Sequence, residues 1–222
     1  MVPYIDIHTH QPLNRVDVIE IANIIPFHQP KPSARLYSAG VHPWYINPGD
    51  EHLYWEWLKR VSADQRCLMI GECGLDGVCK SDAELQHRIF RWQMEFASEM
   101  QKPMVIHCVK RHNEIQRLSK NREMHTPWIL HDYHSSVEMT RQLLECNILF
   151  SFGAGLLYGN EKQKTLIGEI PSDRLFLETD DSGISIEKIY AAAGILLKID
   201  VLDLRLTIFN NFNRVFNDTK LA

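Results

Sequence analysis

Short apolar runs alternate with helix-like segments along this chain of 222 residues. Eight runs have the length and composition of buried strands. The predicted strands are Tyr4–His10, Val16–Ile25, Ala34–Val41, Cys67–Glu72, Met104–Cys108, Trp128–Tyr133, Ile148–Phe152 and Leu175–Asp180. The alternation predicts an α/β protein with a parallel sheet and right-handed crossovers, and eight such units predict a closed (β/α)8 TIM-like barrel.

The clearest predicted helix covers Asp82–Met100, where apolar side chains recur at steps of three and four. Ser81 with Glu84 three residues later is typical of a capping box. The other predicted helices are Glu51–Val61, Asn113–Lys120, Val137–Cys146, Glu161–Ile170, Ile186–Leu197 and Leu202–Phe216.

The first two connections are unlike the others. Gln11–Arg15 is too short for a normal helix, and Pro26–Ser33 contains three prolines. We therefore expect a pared-down barrel whose outer helices are missing near its N-terminal end. No repeat, linker or low-complexity tract interrupts the chain, so we predict a single domain over residues 1–222.

The amino-acid composition limits the classes of molecule that the chain is expected to bind. The formal net charge is −4 and the pI is about 6.2, so the chain as a whole has no basic character for nucleic-acid binding. An anionic substrate would need a local patch or bound cations. Five cysteines without a CxxC pair, no visible signal peptide and no long apolar stretch lead us to expect a cytoplasmic protein. We predict no membrane contact and no obligate protein partner.

Side chains that can bind metals stand where several predicted strands end. His8 and His10 close the first run; later runs end at Glu72, His107, His131 and Asp180. The C-terminal ends of barrel strands meet at one mouth. Six nitrogen and oxygen ligands should therefore converge there, as a two-metal hydrolase requires.

Position and chemistry indicate separate roles for these ligands. His8 and His10 have the i, i+2 spacing that places two imidazoles on one face of a strand. Glu72 lies beside Gly71 and Gly74, and we predict that it bridges two cations. The alternative is a helix cap or a salt bridge, but a buried carboxylate needs a partner.

Asp180 fits a residue that both ligates a metal and accepts a proton from the attacking water. Glu178 and Asp6 lie one step deeper on their strands. We expect Glu178 to be a buried partner of a histidine or arginine, and Asp6 to hydrogen-bond a ligand from behind.

These motifs together resemble the TatD family of metal-dependent deoxyribonucleases, within the amidohydrolase superfamily. The matching stretches are Asp6–His10, Gly40–Pro43, Gly71–Asp76, Pro103–His107, Ile129–His131, Phe150–Gly153, Glu178–Asp180 and Asn213–Phe216. The resemblance covers nearly the whole chain.

The resemblance implies which residues would bind each of two metal ions. His8, His10 and Asp180 would bind one divalent metal ion, His107 and His131 the other, and Glu72 both; Zn, Mn or Mg would suit them. His42 would contact a substrate phosphate at the mouth. The alternative for His42 is a histidine with a purely structural contact before the Pro43 turn.

The chain also departs from the family pattern. Val109 stands where members often carry an arginine, and Lys110 or Arg111 could replace it in contacting the substrate. The residues after His131 and after Asp180 differ from the family motifs as well. The predicted metal site is therefore better supported than the predicted substrate.

We predict hydrolysis of a phosphodiester at a DNA end by a metal-activated water, with Asp180 and Glu72 as catalytic residues. The alternative keeps the binuclear site but cleaves an ester, lactone or amide in a small molecule. A third hypothesis is a metal-binding barrel that acts as a partner protein with little turnover.

Overall fold

The computed structural model describes residues 2–27, 34–120, 126–158 and 161–216. In these ranges eight strands form one sheet in the order of the chain, and every neighbouring pair is parallel. The strands are β1 (Tyr4–Thr9), β2 (Val18–Ile24), β3 (Leu36–Ala39), β4 (Cys67–Asp76), β5 (Met104–Val109), β6 (Trp128–Leu130), β7 (Ile148–Phe152) and β8 (Leu175–Leu177).

The first and last strands meet and nearly close the barrel. Thr9 and Asp180 form a parallel bridge. The His10 amide donates to the Asp180 carbonyl at 2.9 Å, and the Asp180 amide donates to the His8 carbonyl at 3.0 Å. The predicted eight-stranded barrel is confirmed, and the seam brings the first and last predicted ligands side by side.

The helices are α1 (Glu51–Ser62), α2 (Ala83–Glu99), α3 (His112–Ser119), α4 (Val137–Leu144), α5 (Glu161–Ile167), α6 (Ile186–Leu197) and α7 (Val201–Phe216). All seven predicted helices are present within a few residues of their expected bounds. The cap of α2 is not the predicted Ser81. Asp82 caps it instead, because its carboxylate accepts a hydrogen bond from the Leu85 amide at 2.8 Å.

The connections near the N-terminal end are irregular, as expected. Residues 10–17 join β1 to β2 without a helix. Between β2 and β3, residues 25–27 and 34–35 are also non-helical, and the rest of the predicted Pro26–Ser33 connection lies outside the described residues. The barrel is therefore pared down at its first connection.

Strand β4 corrects one prediction. It was expected to end at Glu72 but continues to Asp76, and all ten of its residues are buried. Its pairing with β5 shifts between Ile70 and Cys73, where three steps along β4 match two along β5. This extra residue is a β-bulge, which changes where a side chain points within a continuing strand.

The apolar core is continuous between the strands and the helices packed around them; Ile5, Ile106 and Phe150 are among its fully buried residues. No helix in the described ranges has both the length and the apolar character needed to span a bilayer. The single-domain assignment over 1–222 stays a prediction.

Candidate metal centre

Two glycines flank Glu72 at the bulge in β4: Gly71 directly precedes it and Gly74 lies two residues after it. Gly71 and Gly74 have φ angles of 131° and 149°, which side chains rarely adopt. A Cβ on Gly71 would lie 2.2 Å from the Val105 carbonyl oxygen, and one on Gly74 would lie 2.0 Å from that of His107. The glycines let β4 approach β5 closely and direct Glu72 toward the barrel mouth.

The two carboxylate oxygens of Glu72 face different histidines. Oε2 lies 3.4 Å from His8 Nε2 and 3.5 Å from His10 Nε2. Oε1 lies 2.8 Å from His131 Nε2 and 3.2 Å from His107 Nδ1. One carboxylate therefore stands between two pairs of imidazoles, which is the geometry that a bridging ligand needs.

Asp180 completes the first group of donors. Its Oδ1 lies 3.5 Å from His8 Nε2 and 3.4 Å from His10 Nε2. Glu72 Oε2 lies at nearly the same distances from these two nitrogens. Neighbouring ligands around a tetrahedral zinc at about 2.1 Å are about 3.4 Å apart. The four distances between these nitrogens and oxygens are those expected of ligands to one such ion.

His8 shows an unmet need for a partner. Its ring is fully buried, and neither ring nitrogen has a hydrogen-bond partner within the part of the chain that the structure describes. A buried polar group without a partner is costly. A cation held by Nε2 would remove that cost at this nitrogen, so these residues fit a metal ion.

The pKa shifts within the cluster also indicate that a cation would fit there. Burial raises the pKa of Glu72, but His131, His10 and His107 together hold it well below its usual range. Burial lowers the pKa of His10, yet Asp180 and Glu72 outweigh this effect and raise it to about 9. The buried carboxylates require positive charge, which either protonated histidines or divalent cations can supply.

Asp76 orients His107 from behind. Asp76 Oδ2 lies 3.0 Å from His107 Nε2, so Nδ1 faces Glu72. Burial raises the pKa of Asp76, but hydrogen bonds from the Trp44 indole and His107 lower it to about 2. Carboxylates commonly fix metal-binding histidines in this way. No role for Asp76 was predicted, although it lies in one of the motif stretches.

Glu178 and Asp6 were predicted one step deeper on their strands, and they differ in whether they reach a predicted ligand. Glu178 Oε1 lies 3.6 Å from His131 Nδ1, which fits the predicted histidine partner. Asp6 makes no hydrogen bond to a predicted ligand; it accepts from the amide and hydroxyl of Thr179 at 2.9 and 2.6 Å. Asp6 thus holds the residue next to Asp180 rather than a ligand itself.

His42 lies in the same cluster, but its protonation suits a donor rather than a ligand. Its Nδ1 accepts a hydrogen bond from the Trp44 amide at 3.1 Å, so in a neutral ring Nε2 carries the proton. Burial lowers the pKa of His42 and favours this neutral form. Nε2 lies 3.0 Å from Glu72 Oε1, where it can donate.

Asn23 is a site residue that the sequence did not reveal. Its side chain accepts from the Glu72 amide and donates to Glu72 Oε2, both at 3.0 Å. The available signal was an amide side chain inside the apolar strand β2, where a polar residue needs a specific partner.

The cluster opens into a cavity of about 400 Å³. The lining contains every predicted ligand except His8, together with His42. No lysine or arginine is among the described residues that line it. Lys110 is exposed and lies outside the lining, while Val109 lies within it. Arg111 is paired with Glu114 at 2.7 Å. The predicted contact of Lys110 with substrate stays a prediction.

Comparison with known proteins agrees with this geometry. A family model described as TatD related DNase matches residues 13–217. The chain belongs to the TatD family. A TatD homologue from Escherichia coli K12, YjjV, has a similar fold, with a TM-score of 0.71 at 19% identity; the match covers 82% of this chain and 76% of YjjV.

Curated TatD relatives match part of their length. An uncharacterized metal-dependent hydrolase of Bacillus subtilis (strain 168), YabD, is 34% identical over 150 residues, covering 65% of this chain and 58% of YabD. The 3'-5' ssDNA/RNA exonuclease TatD of Erwinia billingiae (strain Eb661) is 30% identical over 164 residues, or 64% of this chain and 56% of that protein. The matches thus span little more than half the length of either relative.

Proposed function

We propose that this chain is a hydrolase that uses two divalent metal ions to cleave phosphodiester bonds at nucleic-acid ends. The observation that carries the proposal is the position of Glu72, whose two oxygens face separate pairs of histidines. A carboxylate placed between two such sets of donors would be suited to hold two divalent ions at once.

We assign the donors to the two ions as the family resemblance implies. His8, His10 and Asp180 would hold one ion, His107 and His131 the other, and Glu72 both. Imidazole with carboxylate suits Zn or Mn, and Mg where water completes its shell. When bound, such ions polarise a phosphoryl oxygen and lower the pKa of water from 15.7 to about 7.

The chain's own residues supply proton transfer and orientation. Burial raises the pKa of Asp180, but the imidazoles of His10 and His8 beside its Oδ1 hold that pKa well below its usual range, so the carboxylate is ionised at neutral pH. Asp180 is only partly buried and lines the cavity, where it can accept a proton from an attacking water. His42 can donate from Nε2 to a phosphoryl oxygen, in competition with Glu72.

A nucleic-acid end as substrate has support from the relatives. The Erwinia protein is named as an exonuclease of single-stranded DNA and RNA. The negative net charge of this chain would then matter little, because bound cations would contact the scissile phosphate. The cytoplasmic location, the absence of an obligate partner and membership of the amidohydrolase superfamily stay predictions.

A second candidate function is hydrolysis of an ester, lactone or amide in a small metabolite. The observation that favours it is a cavity lining without lysine or arginine in the described chain. A carbonyl group needs polarisation by one cation but no array of phosphate-binding side chains. The two candidates share the metal centre and differ only in substrate.

A metal and substrate grid separates them. Protein stripped with a chelator is reloaded with Zn, Mn or Mg and incubated with end-labelled single-stranded oligonucleotides, p-nitrophenyl acetate and a panel of lactones. We expect metal-dependent shortening of the oligonucleotide from one end. Hydrolysis confined to the esters or lactones would reject the phosphodiesterase proposal. Glu72→Ala protein purified identically reveals any contaminating nuclease.

A further inference from the structure

Two aromatic side chains stand at the edge of the cavity. Trp44 and Tyr45 belong to the short 3-10 turn Pro43–Tyr45 that follows β3 and His42. Both line the cavity, yet 56% of Trp44 and 40% of Tyr45 remain exposed. Isolated exposed aromatic residues are ordinary, but adjacent ones at the mouth of a polar cavity mark a surface suited to a flat ligand.

The indole of Trp44 is held in place. Its Nε1 donates to Asp76 Oδ2 at 2.6 Å, which ties the nitrogen edge of the ring to the end of β4. The rings of His42 and His107 lie nearly perpendicular to it, with centroids 5.1 and 5.7 Å away. A large ring that is already ordered loses little conformational freedom when a ligand stacks on it.

The cavity lining offers few fixed basic side chains for a long polyanion. Besides the predicted ligands, Asp132 and Asp181 line the cavity, and no described lining residue is a lysine or arginine. A duplex binds mainly through many phosphate contacts with basic side chains. An aromatic face instead binds an unpaired base, because stacking needs no charge.

The geometry points to Trp44 as a base-stacking residue. The substrate unit is a nucleotide at an unpaired strand end, whose base stacks on the exposed indole while its phosphate lies beside His42. This inference rests on the proposed function and adds that recognition of the end depends on the base as well as the phosphate.

Equilibrium binding tests the inference without turnover. Calorimetry on the metal-loaded protein compares 2'-deoxyadenosine 5'-monophosphate with 2-deoxyribose 5-phosphate, which lacks the base. Stacking contributes about 1–3 kcal/mol per base, or about 5- to 150-fold in affinity. We expect wild type to prefer the nucleotide within that range, and Trp44→Ala to bring the ratio of the two affinities close to one.

Two further variants isolate stacking from other effects. Trp44→Phe loses the hydrogen bond to Asp76 but keeps an aromatic face, so most of the preference should remain. Tyr158 is 71% exposed and is not in the cavity lining, and Tyr158→Ala should keep the full preference. A ratio near one in wild type, a preference that survives Trp44→Ala, or equal losses in Trp44→Ala and Trp44→Phe would each overturn the inference.

The binding assay tests base stacking and the turnover assay tests the proposed function, so each can give a negative result without the other. Oligonucleotide shortening by a protein that binds both ligands equally would overturn base stacking and leave the proposed function standing. Base-dependent binding without any phosphodiester hydrolysis would reject the proposed function while supporting Trp44 as a base-binding residue.

Discussion

Asn23 holds Glu72 at both its backbone and its side chain. The Asn23 Oδ1 accepts from the Glu72 amide at 3.0 Å, while Nδ2 donates to Glu72 Oε2 at 3.0 Å. These two contacts also fix which end of the amide is oxygen. The carboxylate that faces both pairs of histidines is therefore oriented by a residue of β2, which β3 separates from β4.

Asn23→Ala should weaken metal binding although Asn23 is not itself a predicted ligand. Loss of a residue that orients a ligand typically costs about 10–100-fold in metal affinity or activity. Competition with a chelating indicator dye measures the affinity. Ser38→Ala is the matched control, because the Ser38 hydroxyl donates to Asn23 Oδ1 at a longer 3.4 Å, and its loss should cost less. Wild-type affinity in Asn23→Ala would show that Glu72 needs no such support.

Glu72→Ala should reduce activity more than loss of any single predicted histidine ligand. The change withdraws a donor from both groups of histidines and leaves two cations without a shared negative charge. Metal content should fall in parallel, as measured by elemental analysis after gel filtration. Full loading with wild-type turnover would contradict the bridging assignment. His10→Ala provides the comparison, because it removes a donor from one group only.

The sequence predicted the convergence of the ligands for a physical reason. Residues at the C-terminal ends of parallel strands meet at one mouth wherever they lie in the chain. His8 and Asp180 are far apart in sequence, yet the seam between β1 and β8 joins them. Strand and helix existence followed from periodicity, which depends only on local pattern.

The roles of Asn23 and Asp76 could not be predicted, because they depend on contacts with residues far away in the sequence. Asn23 is 49 positions from Glu72, and Asp76 is 31 positions from His107. Their roles depend on the order of the strands in the sheet and on their register. The true length of β4 was missed because Glu72 interrupts an apolar run, and a bulge at that point lets the strand continue.

Asp180→Asn should retain much of the metal and lose most of the turnover. An amide can ligate weakly but cannot accept the proton of the attacking water. Loss of a general base typically accounts for about 10²–10⁴-fold in rate. Steady-state kinetics at neutral pH with parallel metal analysis measures both quantities. A kcat within a few-fold of wild type would exclude Asp180 as the base.

His42→Ala should distinguish a phosphate from a neutral ester. For a phosphodiester, the loss of the Nε2 donor should weaken binding or turnover while metal content stays near wild type. For an ester the same change should matter little, because no phosphate charge needs that donor. Rates with bis(p-nitrophenyl) phosphate and p-nitrophenyl acetate make the comparison. Equal small effects on both would count against the phosphodiesterase proposal.

The number and separation of bound ions test the central claim most directly. Crystals of the metal-loaded protein, with anomalous diffraction recorded on both sides of the metal absorption edge, would locate each ion independently of activity. We predict two ions about 3.5–4 Å apart, one beside His8, His10 and Asp180, the other beside His107 and His131, with Glu72 between them. One ion at full occupancy, or two ions without Glu72 between them, would contradict the account.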